Sequence, residues 1–222
     1  MNFQILIKKY KHAFTLLYVL IYVPWFMYLE KHVVKGYHII HMNIDDKIPF
    51  IEMFIVPYLL WFAYVAITLM YFFFFDVNSY KRMCLFLFSG MTIFLIISTI
   101  YPNGHQLRPV VFTRNNMFTH MVKALYSADT PTNLFPSIHV FNSLGTHLAI
   151  IKSEKLKDKK WLHISSFILM FFIIMSTLFL KQHSMFDVLT AFVMAGGFYS
   201  LVYRSELIYN IGKKQEYQES TY

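Results

Sequence analysis

Six stretches of this chain are long, apolar and nearly free of Lys, Arg, Asp and Glu: residues 13–29, 54–75, 83–101, 134–151, 161–180 and 184–203. Each approaches the roughly twenty residues that a helix needs to cross a bilayer. In hydrocarbon every backbone N–H and C=O must be paired within the protein, which leaves helices or closed barrels, and continuous apolar runs without a two-residue alternation select helices. The pattern predicts an all-α fold: one membrane domain over residues 1–222, built as a bundle of six crossings. Composition agrees, since 57% of residues are hydrophobic and only 14% are charged, a balance foreign to ordinary soluble domains.

The first run follows Lys8, Lys9 and Lys11, as a cleavable leader would. It reads instead as a crossing, because Trp25 and Tyr28 lie near its end and no small-residue cleavage site follows. The formal net charge of +8 comes from basic residues beside the apolar runs, without any nucleic-acid motif, so a nucleic-acid partner is excluded. With the N-terminus in the cytoplasm, Lys8, Lys9, Lys11, Lys81, Arg82, Lys152, Lys155, Lys157, Lys159, Lys160, Arg204, Lys213 and Lys214 fall inside, thirteen of the twenty basic residues. Both termini are therefore expected in the cytoplasm, with the cluster at 152–160 as the strongest anchor. Cys84 is the only cysteine, so no intrachain disulfide forms. Small size, no disulfide and basic inner loops suit a bacterial inner (cytoplasmic) membrane.

Between the crossings, residues 30–53 form an outer segment with His32, His38, His41, Asp45 and Asp46, too polar to cross. No ligand spacing links these side chains, so an interfacial segment is expected and a metal is not. Residues 76–82 read as a short polar inner turn, and residues 102–133 as a long outer loop beside the signatures described next. The Phe72–Phe75 run reads as lipid-facing or packing surface, His147 as a hydrogen-bonding helix residue, and Gly196–Gly197 as a point of close helix approach.

Two short polar signatures interrupt the apolar pattern: Phe135-Pro136-Ser137-Ile138-His139 and Lys181-Gln182-His183-Ser184-Met185-Phe186-Asp187. His183 and Asp187 are four apart and share a helix face, where a carboxylate can orient an imidazole and raise the basicity of its outer nitrogen. A histidine so oriented can attack phosphorus, and a second one, His139, can protonate the departing oxygen. Arg108 offers a planar, permanently charged fork for phosphate oxygens. Pro136 suits a first helical position, which would aim the N–H groups of Ser137, Ile138 and His139 outward as unpaired donors. The topology places Arg108, the Ser137–His139 box and His183 at one depth on the outer side. That convergence is independent of the charges that set the orientation.

Arg108-Pro109, Pro136-Ser137-Ile138-His139 and His183-x-x-x-Asp187 resemble, in order and spacing, the three signatures of the type 2 phosphatidic acid phosphatase superfamily. Their usual forms are Lys-x6-Arg-Pro, Pro-Ser-Gly-His and Ser-Arg-x5-His-x3-Asp on a six-helix core. The likeness runs from about the third crossing to the C-terminus, and Phe-Pro-Ser-Ile-His with Lys-Gln-His resembles the branch that includes inositol phosphorylceramide synthases. The resemblance implies that His183 is the nucleophile that becomes a phosphohistidine, Asp187 its orienter, and His139 the general acid and later the base. Arg108 and Ser137, with the Ile138 N–H, would hold the phosphoryl oxygens. No metal and no cofactor is implied.

Tyr101 stands where the family pattern has lysine, and Thr177 where it has arginine. A charge-assisted hydrogen bond of the kind those cations would make is worth about 1.5–3 kcal/mol. Lys181 is the first candidate substitute, with His105, Arg114 and Lys123 behind it. The expected activity is hydrolysis of a lipid phosphomonoester or diphosphate in the bilayer. Transfer of a headgroup phosphoryl to a lipid alcohol, or a non-catalytic transporter or scaffold on the same fold, stand as alternatives, and the oligomeric state is left open.

Overall fold

The structure, a computed structural model, describes residues 10–204. Lys8, Lys9, Lys213 and Lys214, which entered the charge count, lie outside them. A 3₁₀ stretch Lys11–Tyr18 runs into α1, Val19–His32; then follow α2 (Ile55–Phe75), α3 (Val77–Ile100), α4 (Met117–Ala128), α5 (Ile138–Lys152), α6 (Lys160–Phe179) and α7 (Met185–Tyr199), which continues as a wider π turn Ser200–Arg204. Among the described residues, five stretches are long and apolar enough to cross a membrane: Lys11–His32, Glu52–Phe75, Val77–Ile100, Lys160–Phe179 and Met185–Arg204. The chain is an all-α membrane bundle.

The fourth expected crossing differs. Helix α5 has 15 residues, about 22 Å at 1.5 Å per residue, short of a hydrocarbon layer of about 30 Å. It starts late because Ser137 caps it from an extended conformation, its Oγ accepting the Val140 N–H at 3.4 Å. It is the inner helix, packed against α2, α3, α6 and α7, with Val140, Phe141, Ser143, Gly145, Thr146 and Ala149 buried. Its neighbours present the lipid face: Phe62, Ile67, Met70 and Phe74 of α2 and Phe167 and Phe171 of α6 are exposed. In the Phe72–Phe75 run, Phe72 is buried and Phe74 and Phe75 are exposed.

Two glycines set how closely α5 and α3 approach. A Cβ on Gly90 would lie 2.0 Å from Phe141, and one on Gly145 would lie 2.5 Å from Phe86. The two rings stack on each other at 4.7 Å between centroids. Each helix thus offers a ring to the other's glycine. The close approach expected at Gly196–Gly197 is not there, because a Cβ on either would meet nothing within 4 Å.

At one end Asp76 alone makes the α2–α3 turn, shorter than the expected 76–82. Its carboxylate accepts the Ser79 N–H at 3.1 Å and the hydroxyls of Ser79 and Ser153, both at 2.7 Å. Capped there, α3 extends back to Val77 and takes up Lys81 and Arg82. Lys155 donates from its Nζ to the Phe75 carbonyl at the same end.

At the opposite end the three outer segments interlock. A two-residue parallel ladder pairs β1 (His38–Ile39) with β2 (Asn103–Gly104), in the register His38 to Asn103 and Ile39 to Gly104. The long segment expected as a loop contains α4, whose cap Asn116 accepts the Thr119 N–H at 2.9 Å. Phe118, Met121, Val122 and Leu125 of α4 pack with Ile55, Tyr58 and Leu180. Glu30 ties α1 to this segment, accepting from the Thr130 hydroxyl at 2.6 Å and the Asn133 amide at 3.0 Å.

Candidate active site

The position of His183 follows from how α6 stops. The N–H groups of Gln182 and His183 both donate to the Thr177 carbonyl, at 2.9 and 3.1 Å, while Lys181 takes a left-handed φ of 52°. The chain reverses and α7 begins at once. Its cap, Ser184, accepts the Phe186 N–H at 3.2 Å, and Asp187 Oδ2 accepts the Ser184 N–H at 2.9 Å, a reciprocal capping box. Thr177, at the position of the family arginine, is buried, and its hydroxyl donates back to the Ile174 carbonyl at 2.7 Å. That residue ends a helix here.

The expected partners of His183 converge on it. His183 Nδ1 lies 3.4 Å from Asp187 Oδ2, and His183 Nε2 lies 3.4 Å from His139 Nδ1. The first distance is a close polar contact. It is not an aligned hydrogen bond, because Oδ2 already serves the Ser184 N–H and His183 Nδ1 and Asp187 Oδ1 are left without hydrogen-bond partners. Burial first, then the nearby Arg108 charge, pushes the His183 imidazole down to about 3. It is therefore neutral at physiological pH, the state in which Nε2 has a lone pair to give.

His139 is held between the rings of Tyr58 and Trp61 on α2, at 4.7 and 4.4 Å between centroids. Ser137 is buried and joins the two helix starts, its N–H donating to the Asp187 carbonyl at 3.2 Å. This corrects two expectations. Pro136 precedes the cap instead of opening the helix, and the Ser137 N–H is committed to protein. The first-turn N–H groups of Ile138 and His139 are the ones α5 leaves over.

Arg108 reaches the site from the segment after β2 and is held on several sides. It donates from Nη1 to the Asp129 carbonyl at 2.7 Å and from Nη2 to Asp129 Oδ2 at 3.3 Å and to Gln182 Oε1, with its guanidinium 4.4 Å from the Tyr126 ring centroid. Burial pushes the Asp129 carboxyl up to about 6 although Arg108 pulls the other way. The Arg108 Nε has no partner.

The expected substitute cations are elsewhere. Lys181 donates from Nζ to the Asp45 carbonyl at 2.6 Å, Arg114 pairs with Glu52 at 3.2 Å, and the Lys123 ammonium lies 5.2 Å from the Phe112 ring centroid. Tyr101 stacks on His38 at 4.2 Å. His105 is buried beside the pair, within electrostatic reach of His183, Asp187 and Arg108.

Three contributors were not foreseen. Asp45 is 1% exposed and clasps the start of α7, accepting from the Ser184 hydroxyl at 2.6 Å and the Met185 N–H at 2.8 Å. Asn103 accepts the N–H groups of Leu134 and Phe135, both at 2.9 Å, and so positions the box that leads to His139. Gln182 is the buried acceptor for Arg108. Only Gln182 had a signal in the sequence, its place beside His183. Nothing in the chain pairs position 45 with 184 or 103 with 134.

Among the described residues no group of three or more His, Cys, Asp or Glu is placed to hold a metal ion. The membrane-type helical bundle thus brings together two facing imidazoles, a carboxylate and an arginine. Residues 105–208, a part that carries Arg108, His139, His183 and Asp187, match the model of the PAP2 superfamily. The match supports phosphatase- or phosphotransferase-type chemistry. Neither curated proteins nor solved structures gave a match to the chain.

Proposed function

We propose that the protein is an integral membrane lipid phosphatase that cleaves a lipid phosphomonoester or diphosphate without a metal, through a phosphohistidine on His183. The observation that carries this reading is the single line of contacts from Asp187 through His183 to His139. Asp187 stands at Nδ1, so Nε2 is the nitrogen free to attack. The Nε2–P bond forms as the P–O bond to the lipid breaks, and His139 gives its proton to the departing oxygen. Water then attacks phosphorus as His139 takes a proton from it, and the Nε2–P bond breaks to release phosphate. The two nitrogens are closer than an in-line arrangement of nucleophile, phosphorus, leaving oxygen and acid allows, so the rings part to admit the phosphoryl group. Arg108 and the first-turn N–H groups of α5 stabilise the charge on the equatorial oxygens.

Thr177 and Tyr101 favour a second reading, transfer of a headgroup phosphoryl to a lipid alcohol, because a site with fewer cations suits a phosphodiester with one charge. Release of free phosphate from a lipid phosphate panel in the presence of chelator supports hydrolysis, and an acceptor-dependent lipid product supports transfer. His183→Ala and His139→Ala are expected to abolish either. Wild-type protein without either activity would favour a scaffold instead. The basic residues 152–160 lie at the end of the bundle away from His183, which supports an outward-facing site and cytoplasmic termini.

A further inference from the structure

Arg108 alone among the site's expected cations reaches the histidines, yet the site holds buried N–H groups with no aligned acceptor. Gln182 is 1% exposed, and its Oε1 faces Arg108, which turns its amide nitrogen away. That nitrogen has no acceptor. His105 is also 1% exposed; its Nδ1 accepts the Leu107 N–H at 3.2 Å, so its proton sits on Nε2, which makes no aligned hydrogen bond although the Gln182 backbone carbonyl is near the ring. Arg108 Nε is buried and unpartnered as well. Leaving buried donors unpaired is costly and rare in native proteins, and the usual reason is a group that arrives from outside.

These donors come from two segments, 105–108 and 182, joined by the Arg108–Gln182 hydrogen bond and lying within electrostatic reach of His183. Three N–H donors with no aligned acceptor beside a nucleophile at phosphorus fit the oxygens of one phosphoryl group. We propose that Gln182 Nε2 and His105 Nε2, with Arg108 Nε, bind the phosphoryl oxygens in place of the cations that Tyr101 and Thr177 displace. Burial pushes His105 down to about 4, so it serves as a neutral donor and not as a cation. The proposal rests on the reading that His183 attacks phosphorus.

The test uses full-length protein in detergent, with inorganic phosphate as competitive inhibitor of lipid phosphate turnover. Gln182→Glu keeps the oxygen that holds Arg108 and removes the amide donor; His105→Ala removes the ring and His105→Gln restores a neutral N–H. Gln182→Glu and His105→Ala are each expected to raise the KM and the phosphate inhibition constant about tenfold or more, the fold-change of a hydrogen bond to a charged group. His105→Gln is expected to recover most of that affinity. Unchanged inhibition constants in folded Gln182→Glu and His105→Ala would overturn the proposal. A change in kcat alone at His105, with phosphate inhibition intact, would overturn its oxygen contact and make it a positioning residue for Asp187. His183→Ala in the same assay separates the two readings: if it retains turnover the nucleophile fails, and if it is dead while phosphate inhibition is unmoved by the other variants, only the donor assignment fails.

Discussion

Asp187 has two tasks that share one oxygen, capping α7 through the Ser184 N–H and standing 3.4 Å behind His183 Nδ1. Asn keeps an oxygen for the cap but loses the charge that favours the imidazolium-like state at the nucleophile. Asp187→Asn is therefore expected to lower kcat by roughly 10²–10⁴-fold, with melting temperature nearly unchanged. Parallel losses of kcat and stability would reassign Asp187 to folding alone. The histidines also set an acid limit on stability. His183 and His105 are pushed from an ordinary 6.5 to about 3 and about 4, so the unfolded chain binds protons below 6.5 that the folded protein refuses. Their contribution is present above 6.5 and lost as pH falls. Asp129, raised to about 6, binds its proton earlier in the folded state and offsets one of the two in that range. His105→Gln should then lose less thermal stability than wild type between pH 6.5 and 4, and superimposable curves would contradict the assignment. At this scale the meeting of His139, His183, Asp187 and Arg108 was legible from their spacing and order. Lys181 was not, since one left-handed residue turns its ammonium to Asp45.

The elements were legible where apolar length alone decides, as in α2, α3, α6 and α7. They were not where polar caps decide: Asp76 lengthens α3, Ser137 shortens α5, and Asn116 starts α4 inside a segment taken for loop. An apolar stripe at Phe118, Met121, Val122 and Leu125 was there to be read. Glycine pairs gave the opposite lesson, because sequence cannot say which glycine faces a neighbour. Gly145→Ala would drive a Cβ into Phe86 and is expected to cost about 1–3 kcal/mol, whereas Gly196→Ala, facing open space, is expected to be neutral or slightly stabilising. Equal melting temperatures for the two variants would contradict the packing. The Asp45 clasp belongs to the same scale. Asp45→Ala removes acceptors from the start of α7 and is expected to cost about 0.5–2 kcal/mol and to lower kcat through His183 without touching substrate.

For the whole molecule, the first two crossings and their outer segment hold a site whose reacting groups all come later in the chain. Glu30, Asp45 and the Tyr58 and Trp61 rings beside His139 are among the contacts through which they do so. The basic end at Lys152–Lys160 and the histidine end lie at opposite poles of the bundle, which predicts sidedness. Cys84 is buried, so an introduced cysteine reports alone. Ser127→Cys should react with a membrane-impermeant thiol reagent on intact cells and Lys157→Cys only after lysis; the reverse pattern would invert the orientation.

The proposed chemistry depends on a bond between His183 and phosphorus. Turnover of a lipid phosphate quenched in base and analysed by peptide mass spectrometry should yield an acid-labile phosphoryl group on His183 in the wild type and none in His183→Ala. Steady turnover with no adduct on His183, and a His183→Ala protein that still releases phosphate, would contradict it.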